Sequence, residues 1–241
     1  SLVKGFGLNL NGDSFLASAQ SIPFSLVRKT QGKPLALEAI LMGQLGLLEK
    51  DQDAGFFRKL KTIYTSYQQN YSLVAIGIPK PHFFRLRPSN FPTIRISQVA
   101  NLYQNQTSLF AKITEANTLE DFYTLLKTKT SEYWETHYTF EKKSKKRVKS
   151  VSQSFINLLI INVIIPLRFC YDQYIGRDKT EQLFSIVRDV AAEKNSIIQK
   201  FKALGLTASD ALESQSLIQL KQHYCQTKRC LECAINSLLR A

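Results

Sequence analysis

Histidine is scarce in this 241-residue sequence: His82, His137 and His223 are its whole complement. With so few, general acid–base chemistry and His-rich metal sites have little material. The sequence contains no GxSxG, HExxH, phosphate-binding P-loop or GxGxxG motif. Glu132 and Glu135 near His137 are the nearest approach to an acid–base or metal set, and beside Trp134 they read better as an aromatic patch. Cysteine is scarce too. Four in this length exclude a secreted disulfide framework and fit a reducing, cytoplasmic setting. Seven prolines and ten glycines leave room for long helices. The longest apolar stretch, Phe155 to Phe169, is interrupted by Asn157, Asn162, Pro166 and Arg168; it reads as too short to cross a bilayer, so no membrane partner is expected. No basic segment followed by an apolar run opens the chain, and it lacks an initiator Met, so it is expected to be a piece of something longer.

Acidic residues are the last shortage. Nineteen face thirty-two lysines and arginines, a formal net charge of +13. Such an excess favours an anionic partner, nucleic acid first, although it also serves solubility.

What is present is mostly helical pattern. Asn11-Gly12-Asp13-Ser14 looks like a cap before Phe15, and Ser21 with Pro23 starts a short helix. Pro34 opens an apolar run, Leu35 to Leu48, that predicts a central buried helix. Residues 54–67 are amphipathic, with Phe57, Leu60 and Tyr64 on one face. Five interruptions, Gly77, Pro79, Pro81, Pro88 and Pro92, predict a long loop over 71–92 that packs across the core through its aromatics. Helix resumes at Pro92, with Ile96, Val99 and Tyr103 sharing a face, and again after Thr118. Residues 155–165 are the most apolar piece; their β-branched content suits a strand, but helical neighbours favour a central helix kinked or ended near Pro166. Helices over 180–192 and 196–204 follow, the second closed by Gly205, and Asp210 precedes the last long one.

Three constellations could carry chemistry. Arg85, Arg87 and Arg95 surround Ser89-Asn90-Phe91-Pro92, where an extended segment meets a helix N-terminus; together they suit a phosphate or carboxylate. The bland alternative has these arginines clamping backbone or acids such as Glu38. The run Lys142, Lys143, Lys145, Lys146, Arg147 and Lys149 could contact nucleic acid by counterion release, or be a solvated loop. Cys225, Cys230 and Cys233 have the spacing C-x4-C-x2-C. A zinc or iron–sulfur site would need a fourth ligand, such as Cys170, His223 or Glu232, and nothing downstream supplies one. Packed apolar thiols are the favoured reading, a Cys225–Cys230 disulfide formed on oxidation a lesser one, and no cofactor is expected.

Several phrases together resemble a known family: Gly5-Phe6-Gly7-Leu8-Asn9 with Phe15; residues 38–48 from Glu38 to Leu48; residues 85–98 from Arg85 to Gln98; Glu132-Tyr133-Trp134; and residues 224–235 from Tyr224 to Ile235. In this order they resemble the C-terminal region of a bacterial, Bacteroidetes family, domain-of-unknown-function family 2851. The resemblance implies longer members with a nuclease-like N-terminal half whose acidic motifs do not occur here. That half would then be a partner of this chain.

The expectation is therefore an all-α chain of about nine or ten helices over 1–241, a single domain with a subdivision at 141–150 as an option. Its expected role is a non-catalytic nucleic-acid-binding or accessory domain. The alternatives are a protein-interaction scaffold and, third, an enzyme acting on a phosphorylated substrate at Arg85, Arg87 and Arg95.

Overall fold

The computed structural model describes residues 2–236 except Asp51 and Asp53. Among the described residues it holds thirteen α-helices, eleven of them at least seven residues long, and no β-strand. The all-α expectation is met, and the count of substantial helices is close to the one expected.

Two compact units divide the chain. The first covers 2–116 and 120–164 and contains α1 (Leu2–Phe6), α2 (Leu8–Gln20), α3 (Phe24–Lys29), α4 (Ala36–Gln44), α5 (Gly55–Tyr71), α6 (Pro92–Asn105), α7 (Leu109–Glu115), most of α8 (Leu119–Leu126) and α9 (Gln153–Leu159). At its centre every residue of α4 is buried, as the apolar run predicts. The helix is shorter than that run, because Gly46 takes a left-handed conformation (φ +70°) and turns the chain after Gln44. Around α4 pack Phe15, Phe57, Leu60, Ile94 and Trp134, all buried. Each such apolar side chain contributes about 1.5–3 kcal/mol through its removal from water.

The Asn11–Ser14 stretch is not a cap. It lies inside α2, with Asn11 buried. The Asn11 amide donates to the His82 carbonyl at 2.9 Å and accepts from the His82 N–H at 2.7 Å. This paired bond pins the long loop after α5 to the core. Phe83 meets Phe91 edge-on at 5.2 Å, whereas Ile76 and Phe84 stay exposed, so the loop packs at a few points rather than along its length.

Residues 153–174 run on as one helical segment, so the strand alternative for 155–165 falls away. A π-helical turn, Ile160–Ile164, stands immediately before Pro166. In a regular α-helix the proline ring would clash with the carbonyl of Asn162 and leave it without a donor; the wider turn relieves this. At 22 residues and mean hydropathy 1.7 this segment is long and apolar enough to cross a bilayer, which corrects the length argument from sequence. Its Phe155, Ile156, Leu159, Ile160 and Ile164 are buried within the protein, as are two charged residues, Arg168 and Asp172, and a third of its apolar window is buried in all.

The second unit covers 117–119 and 165–236. It holds α10 (Ile165–Tyr174), α11 (Thr180–Asp189), α12 (Ser196–Ala203) and α13 (Ala211–Gln219). Its helix ends follow the sequence closely. Asn195 caps α12, accepting from the N–H groups of Ile197 and Ile198 at 3.0 Å. Gly205 (φ +84°) closes that helix. Asp210 caps α13 by accepting from Glu213 N–H at 2.9 Å, while the Glu213 carboxylate reaches back to Ser209 N–H at 2.7 Å.

Candidate anion-binding cleft

Pro92 fixes where α6 begins, since its ring suits the first helical position and holds Phe91 extended (ψ 143°). One short 3-10 turn, Pro88–Asn90, leads into it. Asn90 is thereby set one helical turn from Arg95. Asn90 Oδ1 accepts from the Arg95 guanidinium at 2.6 Å, and Gln98 Oε1 accepts from it at 2.9 Å. The guanidinium carbon lies 3.5 Å from the centre of the Phe155 ring, a close cation–π stack.

Arg95 is only 6% exposed, and among the described residues no carboxylate pairs with it. Burial pushes its pKa down to about 10, which still leaves it charged at neutral pH. Two neutral amides use two of its five N–H donors. Glu38, the acid that a structural clamp would use, is bound elsewhere: its carboxylate accepts from Trp134 Nε1 at 2.6 Å, Ser97 Oγ at 2.8 Å and Ser131 Oγ at 3.1 Å. The Glu38 clamp reading is thus overturned for Arg95.

Gln98 also donates to the Lys149 carbonyl at 3.1 Å, tying α6 to the end of the basic run. That run is not a free loop. Ser144 N–H donates to the Thr136 carbonyl at 2.7 Å and Arg147 N–H to the Glu135 carbonyl at 2.8 Å, fastening it along the Glu132–Glu135 turn. Lys142, Lys143, Lys145, Lys146 and Arg147 remain exposed. Lys149 departs from the solvated reading: it is buried, its ammonium donates to the carbonyls of Trp134 and His137, and it sits 4.1 Å from the Tyr138 ring centre. Desolvation lowers its pKa, opposed by nearby Glu135.

These elements enclose a cleft of about 410 Å³ within the first unit. Arg87, Ser89, Asn90 and Arg95 line it, and so do Arg147 and Lys149. Two clusters that are separate in sequence therefore share one site. No Asp or Glu is among the lining residues. Arg85 is left out: it adopts a left-handed conformation (φ +61°) and its guanidinium lies over the Phe84 ring at 5.2 Å. Sequence reasoning missed Gln98 and Phe155; Tyr138, close before the basic run, gave only a thin stacking signal. Gln98 had a local signal, three residues after Arg95 on one helical face; Phe155 is brought in by a distant segment and had none. A second cavity, about 600 Å³, is lined by Lys59, Lys146, Glu132 and Tyr133 among others.

The cysteines do not gather. Cys225 and Cys230 are exposed and only Cys233 is buried, all as free thiols, so packing explains one of the three. Among the described residues no group of three or more His, Cys, Asp or Glu is placed to hold a metal ion.

Comparison with curated proteins and with solved structures gives no match. A family comparison does: residues 1–196, which contain every residue of the cleft and stop before the cysteine segment, match the family described as Protein of unknown function (DUF2851), and the chain belongs to that family.

Proposed function

We propose that the first unit binds nucleic acid through its phosphates, at the cleft between α6 and the basic run. One observation carries this reading: Arg95 is a buried cation held by neutral groups and left without an anion. Burying a charge costs several kcal/mol unless an opposite charge offsets it, roughly the scale of a whole binding interaction. A phosphate entering the cleft would supply that charge. Arg87 and Arg147, both exposed and both lining the cleft, would contact it too, and the exposed lysines 142–146 would extend the contact along a strand. No nucleophile–base pair accompanies them, so the role proposed is binding.

Anisotropy titrations with labelled single- and double-stranded oligonucleotides at two salt concentrations test this. Binding at about 50 mM salt should weaken steeply by about 200 mM, and Arg87→Ala and Arg147→Ala should each reduce the salt slope by about one. Absence of binding at the lower salt would refute the proposal. A scaffold role has separate support in the second unit, where Tyr174, Leu204 and Leu231 are exposed; it predicts that negative result.

A further inference from the structure

We infer that the cleft takes a phosphomonoester, the doubly charged phosphate at the end of a nucleic-acid strand or on a free nucleotide, rather than an internal phosphodiester. This rests on the phosphate-binding reading and sharpens it.

Three observations lead there. The first is access. Arg95 is 6% exposed on the wall of a cleft of about 410 Å³, near the small end of the range for small-molecule pockets. A continuous strand carries its phosphates along its outside and must leave a cleft at both ends. Exposed Arg87 and Arg147 could meet such a phosphate at the rim, but the buried guanidinium is reached only by a group that enters. A strand end or a single nucleotide can do so.

The second is charge. Arg87, Arg95, Arg147 and Lys149 converge with no acid among the lining residues. Lys149 is bonded to two carbonyls, so it contributes mainly its field. An internal phosphodiester brings one negative charge. A phosphomonoester brings about −1.5 to −2 at neutral pH, with three acceptor oxygens. The third is donor supply. Three Arg95 N–H donors stay unused by protein, one on each terminal nitrogen and the buried Nε–H, and Ser89, Ser150, Ser152 and Ser154 line the same cleft with hydroxyls. A terminal phosphate has the oxygens to use both sets.

The test uses one oligonucleotide sequence in three forms: 5′-phosphorylated, 3′-phosphorylated, and hydroxyl at both ends. A mononucleoside monophosphate, its nucleoside and dimethyl phosphate serve as unlabelled competitors. One phosphorylated form should bind at least ten-fold tighter than the hydroxyl form. The mononucleotide should compete, and the nucleoside and the diester should not. A strand end as the source predicts that the phosphorylated oligonucleotide outbinds the mononucleotide; a free nucleotide predicts equal affinity or no oligonucleotide binding. Arg95→Gln should erase the ten-fold preference while salt-dependent binding of the hydroxyl form survives. Should that variant fail to fold, exposed Arg147→Gln should reduce the preference on a folded background. Equal affinity for all three oligonucleotides would overturn the inference and leave nucleic-acid binding standing. Competition by the mononucleotide without any oligonucleotide binding would do the reverse. No binding by any probe would remove both.

Discussion

Glu38 and Arg95, like Lys149, are ionisable side chains of the first unit that are buried and solvated by neutral partners rather than by each other. For Glu38 the arrangement is saturated: indole and two hydroxyls serve both carboxylate oxygens. Burial still raises its pKa above 4.5, with those three bonds opposing the shift. The sign follows from proton linkage. Between 4.5 and the raised value the folded protein holds a proton that the unfolded chain has released, so stability is full below 4.5 and declines as pH rises through the folded pKa. Glu38→Gln keeps an acceptor for Trp134 Nε1 and cannot ionise. Denaturant unfolding from pH 4 to 8 should show the parent losing stability across that window, with the Gln variant flatter. Glu38→Ala should cost about 2–4 kcal/mol at neutral pH, because it leaves a buried indole N–H without its acceptor. If parent and Gln variant respond identically to pH, the buried carboxyl is not titrating there.

The basic run behaves as two elements joined end to end. Its first part projects lysines into solvent; its last residue, Lys149, threads inward and donates to two carbonyls. Replacing Lys142, Lys143, Lys145 and Lys146 together with Gln should shift stability by no more than about 0.5 kcal/mol. Lys149→Ala alone should cost about 1–3 kcal/mol. Urea unfolding of both variants separates them, and equal small losses would contradict the burial of Lys149. Sequence had no means to split the run, since consecutive lysines look alike until the partner backbone arrives from residues 134 and 137. The same limit hid Asn11. Its short polar side chain beside glycine resembles a cap, and only His82, seventy-one residues away, explains its place inside a helix. Arg85 failed for a local reason: the extended segment expected there sets it with Arg87, but its positive φ departs from extended backbone. Features set within one turn of chain were legible, among them Pro92 at the start of α6, Gly205 after α12 and Asp210 before α13.

At the scale of the whole molecule, an excess of thirteen positive charges makes every anion look stabilising. Dissolved salt screens self-repulsion, and chloride, sulfate and phosphate all do so according to ionic strength, with a Debye length of about 8 Å at 0.15 M. A site adds something that screening cannot. A ligand bound only by the folded protein stabilises it by about 2.7 kcal/mol at a hundred times its Kd, independent of charge elsewhere. Thermal midpoints measured in phosphate and in chloride at matched ionic strength and pH should therefore differ, with phosphate higher. Arg95→Gln should bring the two curves together while leaving the common rise with ionic strength intact, since it removes one charge of thirty-two. Replacing the four exposed lysines should do the opposite, lowering the common rise and keeping the gap between phosphate and chloride. If the parent protein shows no gap, charge alone accounts for its response to anions, and the convergence of Arg87, Arg95 and Arg147 at one cleft has no ligand to explain it.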